Sequence, residues 1–150
     1  MGKKKIIIID DEKAFCELMK EVLQKMGDVE ILTAYDGVSG RDLVVEQNPD
    51  LVFLDYVMPK MRGESVLRLL KEDPKTKDIP IVIISGSGGA TSMPYADIKE
   101  FEKLRLDEKG KISYQDRQMV AKTFGAVDFL GKPFSKKDLE EIVHRVLGEF

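Results

Sequence analysis

Short apolar runs separated by segments with helical spacing organise this chain. Four runs, at 6–9, 30–34, 50–54 and 79–84, and a weaker fifth at 127–130, have the length of strands. The first, third and fourth runs are continuously apolar rather than alternating, which is typical of strands covered on both faces of a parallel sheet. The pattern therefore predicts five strands in a buried parallel sheet.

Apolar residues at helical spacing lie between and after these runs. Three stripes, at 15–26, 66–70 and 139–147, each predict a helix with one buried face. Ser135 and Asp138 precede the third stripe with the spacing of a capping box, which favours a helix start there. Strands that alternate with helices predict right-handed βαβ units and a three-layer α/β domain.

The segment between the fourth and fifth runs is longer than a strand–helix–strand unit needs. It begins at 86–90 with Gly-Ser-Gly-Gly-Ala, a composition typical of loops. We predict the regular fourth helix at about 113 to 124 and an inserted loop and helix at about 86–112. Residues 1–150 then form one domain, and since little follows the last stripe, we expect no attached output domain.

Composition and charge narrow the class of protein. The chain has 150 residues, 43% of them hydrophobic and 34% charged, with 24 Lys and Arg against 27 Asp and Glu. Such a balance excludes a disordered chain and argues against a basic face for nucleic acid. The first apolar run is too short for a signal peptide or a membrane span. The single cysteine, Cys16, suits a reducing cytosol, so we expect a cytoplasmic protein with no nucleic-acid or membrane partner.

Polar residues stand where the predicted strands end. Asp10 and Asp11 follow the first run, Asp55 ends the third, Ser85 follows the fourth, and Lys132 follows the fifth. Ligands of parallel α/β sheets bind outside the carboxyl ends of the strands, so these side chains are expected to converge.

The converging carboxylates predict a cation site. Two carboxylates 4 Å apart repel each other by about 4 kcal/mol at an effective dielectric constant of about 20. Oxygen ligands without His or Cys favour Mg²⁺, which keeps water positions open for a phosphate. A carboxylate beside Mg²⁺, with a lysine and a hydroxyl donor, is typical of a phosphoryl-acceptor site.

The same residues resemble the receiver domain of bacterial two-component response regulators, in particular its stand-alone, chemotaxis-regulator-like members. Asp55 lies 44 positions after Asp11, and Ser85 lies 30 positions after Asp55, as in that family. The resemblance implies a flavodoxin-like, doubly wound, five-stranded parallel sheet in the order 2-1-3-4-5. It rests on Asp10-Asp11, Leu51 to Asp55, Met58-Pro59, Ser85, and Phe129 to Phe134.

The resemblance implies the chemistry of the acidic cluster. Asp55 is the expected phosphoacceptor. Asp11, Asp55 and the backbone carbonyl of Val57 are the expected direct ligands of Mg²⁺, and Asp10 is expected to act mainly through water. Lys132 is expected to pair with a phosphoryl oxygen.

The resemblance also implies a switch. Ser85 is expected to hydrogen-bond the phosphoryl group and move inward, which lets Phe129 turn from solvent into the vacated space. The peptide bond before Pro133 is expected to be cis. Phe129 lacks the hydroxyl of the tyrosine often found at that position, so the switch has to act through packing.

These roles imply a phospho-acceptor response regulator of a phosphorelay, not an enzyme beyond its own phosphorylation and dephosphorylation. The expected partners are a sensor histidine kinase or phosphotransfer protein and a downstream protein target. The expected oligomeric state is a monomer or a phosphorylation-linked dimer. The alternative is a phosphorylation-independent adaptor on the receiver fold. An aspartate-based phosphatase is less favoured, because Val57 stands where such enzymes need a second acid.

Overall fold

The computed structural model describes residues 3–56, 58, 61–85, 118–119, 121–122, 124–132 and 134–150. Within these ranges, five strands form one sheet: β1 (Lys4–Ile9), β2 (Val29–Ala34), β3 (Leu51–Asp55), β4 (Ile81–Ser85) and β5 (Asp128–Gly131). All neighbouring strands are parallel, and their order is β2-β1-β3-β4-β5. The doubly wound, flavodoxin-like order expected from the sequence is confirmed.

Helices cover both faces of the sheet. Those with defined bounds in the described ranges are α1 (Lys13–Gln24), α2 (Gly37–Gln47), α3 (Gly63–Glu72) and α4 (Lys136–Leu147). Alternate residues of β1 face opposite sides: Ile6 and Ile8 join the cluster under α1 and α4, whereas Ile7 and Ile9 join the cluster under α2 and α3. All four isoleucines are fully buried, which explains the unbroken apolar run.

Helix α2 is the element that apolar spacing does not predict. Val38 and Val45 are exposed, while Gly40 and Val44 are buried against the sheet. A Cβ atom on Gly40 would lie 2.6 Å from a side-chain carbon of Ile9, so the helix approaches β1 closely because this position is glycine. The local signal for α2 is therefore its N-cap, not its hydrophobic pattern.

The caps of α2 and α4 show how local side chains start these helices. The side chain of Asp36 accepts a hydrogen bond from the Ser39 backbone N–H at 2.8 Å. At α4, Ser135 Oγ accepts from the Asp138 N–H at 3.0 Å, and Asp138 Oδ2 accepts from the Ser135 N–H at 3.1 Å. The predicted capping box is confirmed.

Among the described residues, none of the helices combines the length and the apolar character needed to cross a bilayer.

The predicted insertion at 86–112 lies outside the described residues. Residues 118–119, 121–122 and 124 are helical, in agreement with the helix predicted at about 113 to 124, whose remaining positions are also outside the described ranges. The division of residues 1–150 into one domain with an insertion therefore stays a prediction.

Candidate phosphoacceptor site

Three aspartates meet at the carboxyl edge of the sheet. One carboxylate oxygen from each of Asp10, Asp11 and Asp55 lies within 4.8 Å of the others. They come together because β1 and β3 are neighbours in register, with Ile9 opposite Leu54, so that the residues ending these strands share one edge. Asp10 is fully buried and Asp55 is 4% exposed, while Asp11 is open to solvent.

Asp10 is the deepest member of the cluster. Its Oδ1 accepts a hydrogen bond from the Glu12 N–H at 2.9 Å, and its Oδ2 accepts from Lys132 Nζ at 2.9 Å. Burial raises the pKa of Asp10, and the two hydrogen bonds offset only part of that rise. Both carboxylate oxygens thus have protein partners, which fits an indirect role at a cation better than direct coordination.

Lys132 lies within the same cluster. Its Nζ donates to Asp10 and, at 3.3 Å, to Glu12 Oε1, and it lies 4.0 Å from the centroid of the Phe15 ring. Burial acts to lower the pKa of Lys132, but the hydrogen bond to Asp10 and the charges of Asp10 and Asp55 outweigh burial and raise it. The ammonium is therefore fully charged at neutral pH, with its side chain only 15% exposed.

The contacts of Glu12 and Phe15 with Lys132 are functional-site features that the sequence reasoning missed. Glu12 follows the acidic pair directly, and this adjacency is the signal that identifies it as a third acidic neighbour of the site. Phe15 also packs edge-on against Phe134, with ring centroids 5.7 Å apart. The Lys132 ammonium thus lies over the Phe15 ring, a residue that the helical spacing of α1 assigns only to the core.

Ser85 reaches the same edge through the strand register. Asp55 lies opposite Ile84, and Ser85 lies opposite Gly131. Ser85 therefore directly follows Ile84, the neighbour of Asp55, and lies beside Gly131, which directly precedes Lys132. The convergence of its side chain on the site, and the switch role of that side chain, stay predictions.

Phe129 lies inside the protein. It is fully buried and meets the Phe124 ring edge-on, with centroids 6.0 Å apart, and Phe124 meets the Tyr56 ring in the same way at 6.0 Å. The resemblance implies that Phe129 begins in solvent and turns inward, whereas in the structure it already lies inward. A phenylalanine ring has no hydroxyl to hydrogen-bond water, so burial against Phe124 is favoured.

Gly63 sets the position of α3 beside Asp55, and the sequence reasoning missed it. Its N–H donates to the Tyr56 carbonyl oxygen at 2.9 Å. A Cβ atom at Gly63 would lie 2.3 Å from the Asp55 carbonyl oxygen and 2.6 Å from the Tyr56 Cα, both of them backbone atoms. The start of α3 lies this close to the end of β3 only because residue 63 has no side chain.

Two of the predicted site residues, Val57 and Pro133, lie outside the described residues. The carbonyl ligand from Val57 and the cis peptide bond before Pro133 therefore stay predictions.

The donor set at this edge fits a hard divalent cation. The three converging groups are carboxylates, whose oxygens are the type of ligand that Mg²⁺ prefers. Cys16 is nearby, with its thiol donating to the Asp10 carbonyl oxygen at 3.4 Å, but burial raises its pKa to about 12. A protonated thiol is a poor metal ligand, so the site keeps its oxygen-only character.

Comparisons with known proteins agree with this geometry. A family model described as "Response regulator receiver domain" matches residues 6–97. The DNA-binding dual master transcriptional regulator RpaA of Synechocystis sp. is 32% identical over 142 residues, which cover 95% of this chain and 47% of RpaA. The chain spans about half the length of the first curated relatives that it matches.

Shorter relatives are similar over nearly their whole length. A Rhizobium etli protein named "Probable chemotaxis protein CheY" is 28% identical over 148 residues, which cover 97% of this chain and 94% of the relative. Among solved structures, a response regulator receiver domain protein from Clostridium thermocellum has a TM-score of 0.69 and 26% identity. That match covers 96% of this chain and 94% of the solved chain.

Proposed function

Because the chain belongs to the response regulator receiver domain family, we propose that it is a phospho-acceptor of two-component signalling in which Asp55 receives the phosphoryl group. The observation that carries this proposal is the convergence of Asp10, Asp11 and Asp55 within 4.8 Å, with the Lys132 ammonium bonded to the innermost of them. An acidic cluster with one half-buried ammonium suits the transfer of a phosphoryl group to a carboxylate.

In the proposed reaction, a carboxylate oxygen of Asp55 attacks the phosphorus of a phosphohistidine. The phosphorus–nitrogen bond breaks, the histidine nitrogen keeps the electron pair and takes up a proton, and an acyl phosphate forms on Asp55. Lys132 neutralises charge on the phosphoryl oxygens. Mg²⁺ held by Asp11, Asp55 and the Val57 carbonyl, with Asp10 acting through water, would supply further positive charge for those oxygens.

The switch roles are part of the same proposal. Ser85 hydrogen-bonds the phosphoryl group, Phe129 reports the change through its packing on Phe124, and a cis bond before Pro133 orients Lys132. Since Phe129 already lies inside, its rearrangement is a change of contacts within the core, not an entry from solvent.

The partners follow from this chemistry. A sensor histidine kinase or a phosphotransfer protein donates the phosphoryl group, and a downstream protein recognises the altered face. The chain itself acts as a monomer or as a phosphorylation-linked dimer. We propose a cytoplasmic domain over residues 1–150 with an insertion at about 86–112, which catalyses only its own phosphorylation and dephosphorylation and binds neither nucleic acid nor membrane. Some relatives are about twice as long, RpaA among them, so the activity of the whole protein is also a proposal.

The test is labelling of the purified chain with acetyl phosphate, followed by intact-mass and peptide mass spectrometry. We expect one phosphoryl group on Asp55, formed only with Mg²⁺ and lost in Asp55→Asn. Asp42→Asn, which removes an exposed carboxylate from α2, is the matched control and should label normally. Modification of another residue would overturn the proposal. If the chain is not labelled and Asp55→Asn binds the downstream target as the wild type does, the phosphorylation-independent adaptor would be favoured.

A further inference from the structure

Glu12 is held beside Lys132 by its own backbone. Its N–H donates to Asp10 Oδ1 at 2.9 Å, and its carbonyl oxygen accepts the hydrogen bond that starts α1, from the Cys16 N–H at 3.1 Å. With both backbone groups engaged, the Glu12 side chain leaves the chain from a defined point at the rim of the acidic cluster. Its Oε1 lies 3.3 Å from Lys132 Nζ.

Two carboxylates thus share one ammonium in unequal environments. The Asp10 side chain is 0% exposed, whereas the Glu12 side chain is 65% exposed. Breaking a buried ion pair leaves an uncompensated charge in the interior, which is costly. An exposed pair contributes little, because water solvates both partners once they separate. The bond from Lys132 to Glu12 is therefore the one that exchanges for a new anion.

We propose that Glu12 is a positioning residue for Lys132. The Glu12 carboxylate competes with incoming phosphoryl oxygens for the Lys132 ammonium and so slows phosphorylation of Asp55. The inference rests on the proposed function of Asp55. In the resting protein, Lys132 bridges Asp10 and Glu12. When a phosphoryl group arrives, Lys132 retains its hydrogen bond to Asp10 and loses the one to Glu12. The Glu12 carboxylate then lies at the rim of the cluster without a cationic partner from Lys132.

The competition has a measurable size. An exposed ion pair of this kind changes an equilibrium by roughly two- to fivefold, so Glu12→Gln should speed phosphorylation of Asp55 by acetyl phosphate about two- to fivefold at saturating Mg²⁺. Glutamine keeps the length and the backbone hydrogen bonds of residue 12, so the start of α1 is preserved. Because salt screens exposed pairs, the difference between the two proteins should shrink as ionic strength rises.

Two control variants separate the contact from the charge. Glu12→Asp keeps the charge but shortens the side chain, so it should lose the contact with Lys132 and react nearly as fast as Glu12→Gln. Glu21→Gln removes an exposed carboxylate elsewhere on α1 and should react as the wild type does. A Glu12→Asp variant with the wild-type rate would assign the effect to charge alone and overturn the positioning role.

The same experiment keeps the two proposals apart. If the wild type is labelled on Asp55 and Glu12→Gln reacts at the same rate, the role of Glu12 is wrong and the proposed function stands. If neither protein is labelled on Asp55, the proposed function fails, and the role of Glu12 fails with it.

Discussion

The rings of Phe124 and Phe129 meet edge-on at a centroid distance of 6.0 Å, with Phe129 fully buried. The Phe124 ring makes a second contact of the same kind with Tyr56, which directly follows Asp55. Aromatic contacts therefore lead from the residue beside the proposed phosphoacceptor to β5 by way of a helical residue. Displacement of any of the three rings has to be accommodated by the others, because protein interiors are close-packed.

We expect Phe129→Tyr to lower the free energy of unfolding by about 1–3 kcal/mol, since the new hydroxyl would enter an apolar, fully buried site. Urea denaturation monitored by circular dichroism measures the change. Phe134→Tyr, at a half-buried position, is the control and should cost less. Equal stability of Phe129→Tyr and the wild type would contradict the packing described for this ring.

Mg²⁺ affinity should fall as the solution is acidified. Burial raises the pKa of Asp10 from its ordinary value of 3.8, so this carboxylate takes up its proton at a higher pH than an exposed aspartate does. A protonated Asp10 no longer attracts the cation, and the loss of affinity begins correspondingly early during acidification. Isothermal titration with Mg²⁺ across the acidic range measures this.

Asp10→Asn is the matched variant for that titration. The amide is neutral at every pH, so the variant should bind Mg²⁺ roughly 10- to 100-fold more weakly at neutral pH, as expected for an indirect partner of the metal. Its affinity should also lack the pH-dependent component that Asp10 causes. A variant with the pH profile of the wild type would show that another group is responsible.

Gly63→Ala should lower the free energy of unfolding by about 1–3 kcal/mol, because the added methyl group would meet two backbone atoms that have no room to move. It should also weaken Mg²⁺ binding, since the displaced backbone carries Asp55. Gly148→Ala is the control: an added Cβ meets nothing within 4 Å there, although the φ of 72° disfavours a side chain. We expect that control to lose some stability and to keep its Mg²⁺ affinity.

Lys71→Met should destabilise the protein by about 1 kcal/mol without altering the acidic site. Lys71 Nζ donates to the carbonyl oxygens of Lys77 and Ile79, both at 3.0 Å, and methionine would leave these acceptors without that donor. Thermal and urea denaturation measure the loss, with the exposed Lys75→Met as the control. Unchanged stability would mean that water replaces the ammonium at no cost.

Much of the fold follows from the sequence because burial on two faces leaves a continuous apolar pattern, as in β1. The convergence of Asp10, Asp11 and Asp55 follows as well, since the carboxyl ends of neighbouring parallel strands share one edge. Helix α2 is not predicted from the sequence, because a glycine makes its contact with Ile9. Its exposed valines also obscure the helical spacing of apolar residues that would mark a buried face.

The finer contacts of the site depend on side-chain conformations that no sequence pattern specifies. Lys132 Nζ contacts Glu12 and the Phe15 ring at once, and the balance of burial and charge around this long side chain decides that arrangement. The inward position of Phe129 depends in turn on Phe124, a neighbour from another element. Sequence spacing places such residues near the carboxyl edge of the sheet, but it does not predict which side chains they contact there.

The seclusion of Cys16 has a practical consequence for following the molecule in solution. The chain carries a single cysteine, and its buried, protonated thiol will resist alkylating reagents. A cysteine introduced at exposed Val45 on α2 would then be the sole reactive handle for a fluorophore or a spin label. Spectroscopy of conformational change can accordingly begin from the natural sequence, with no need for a cysteine-free background.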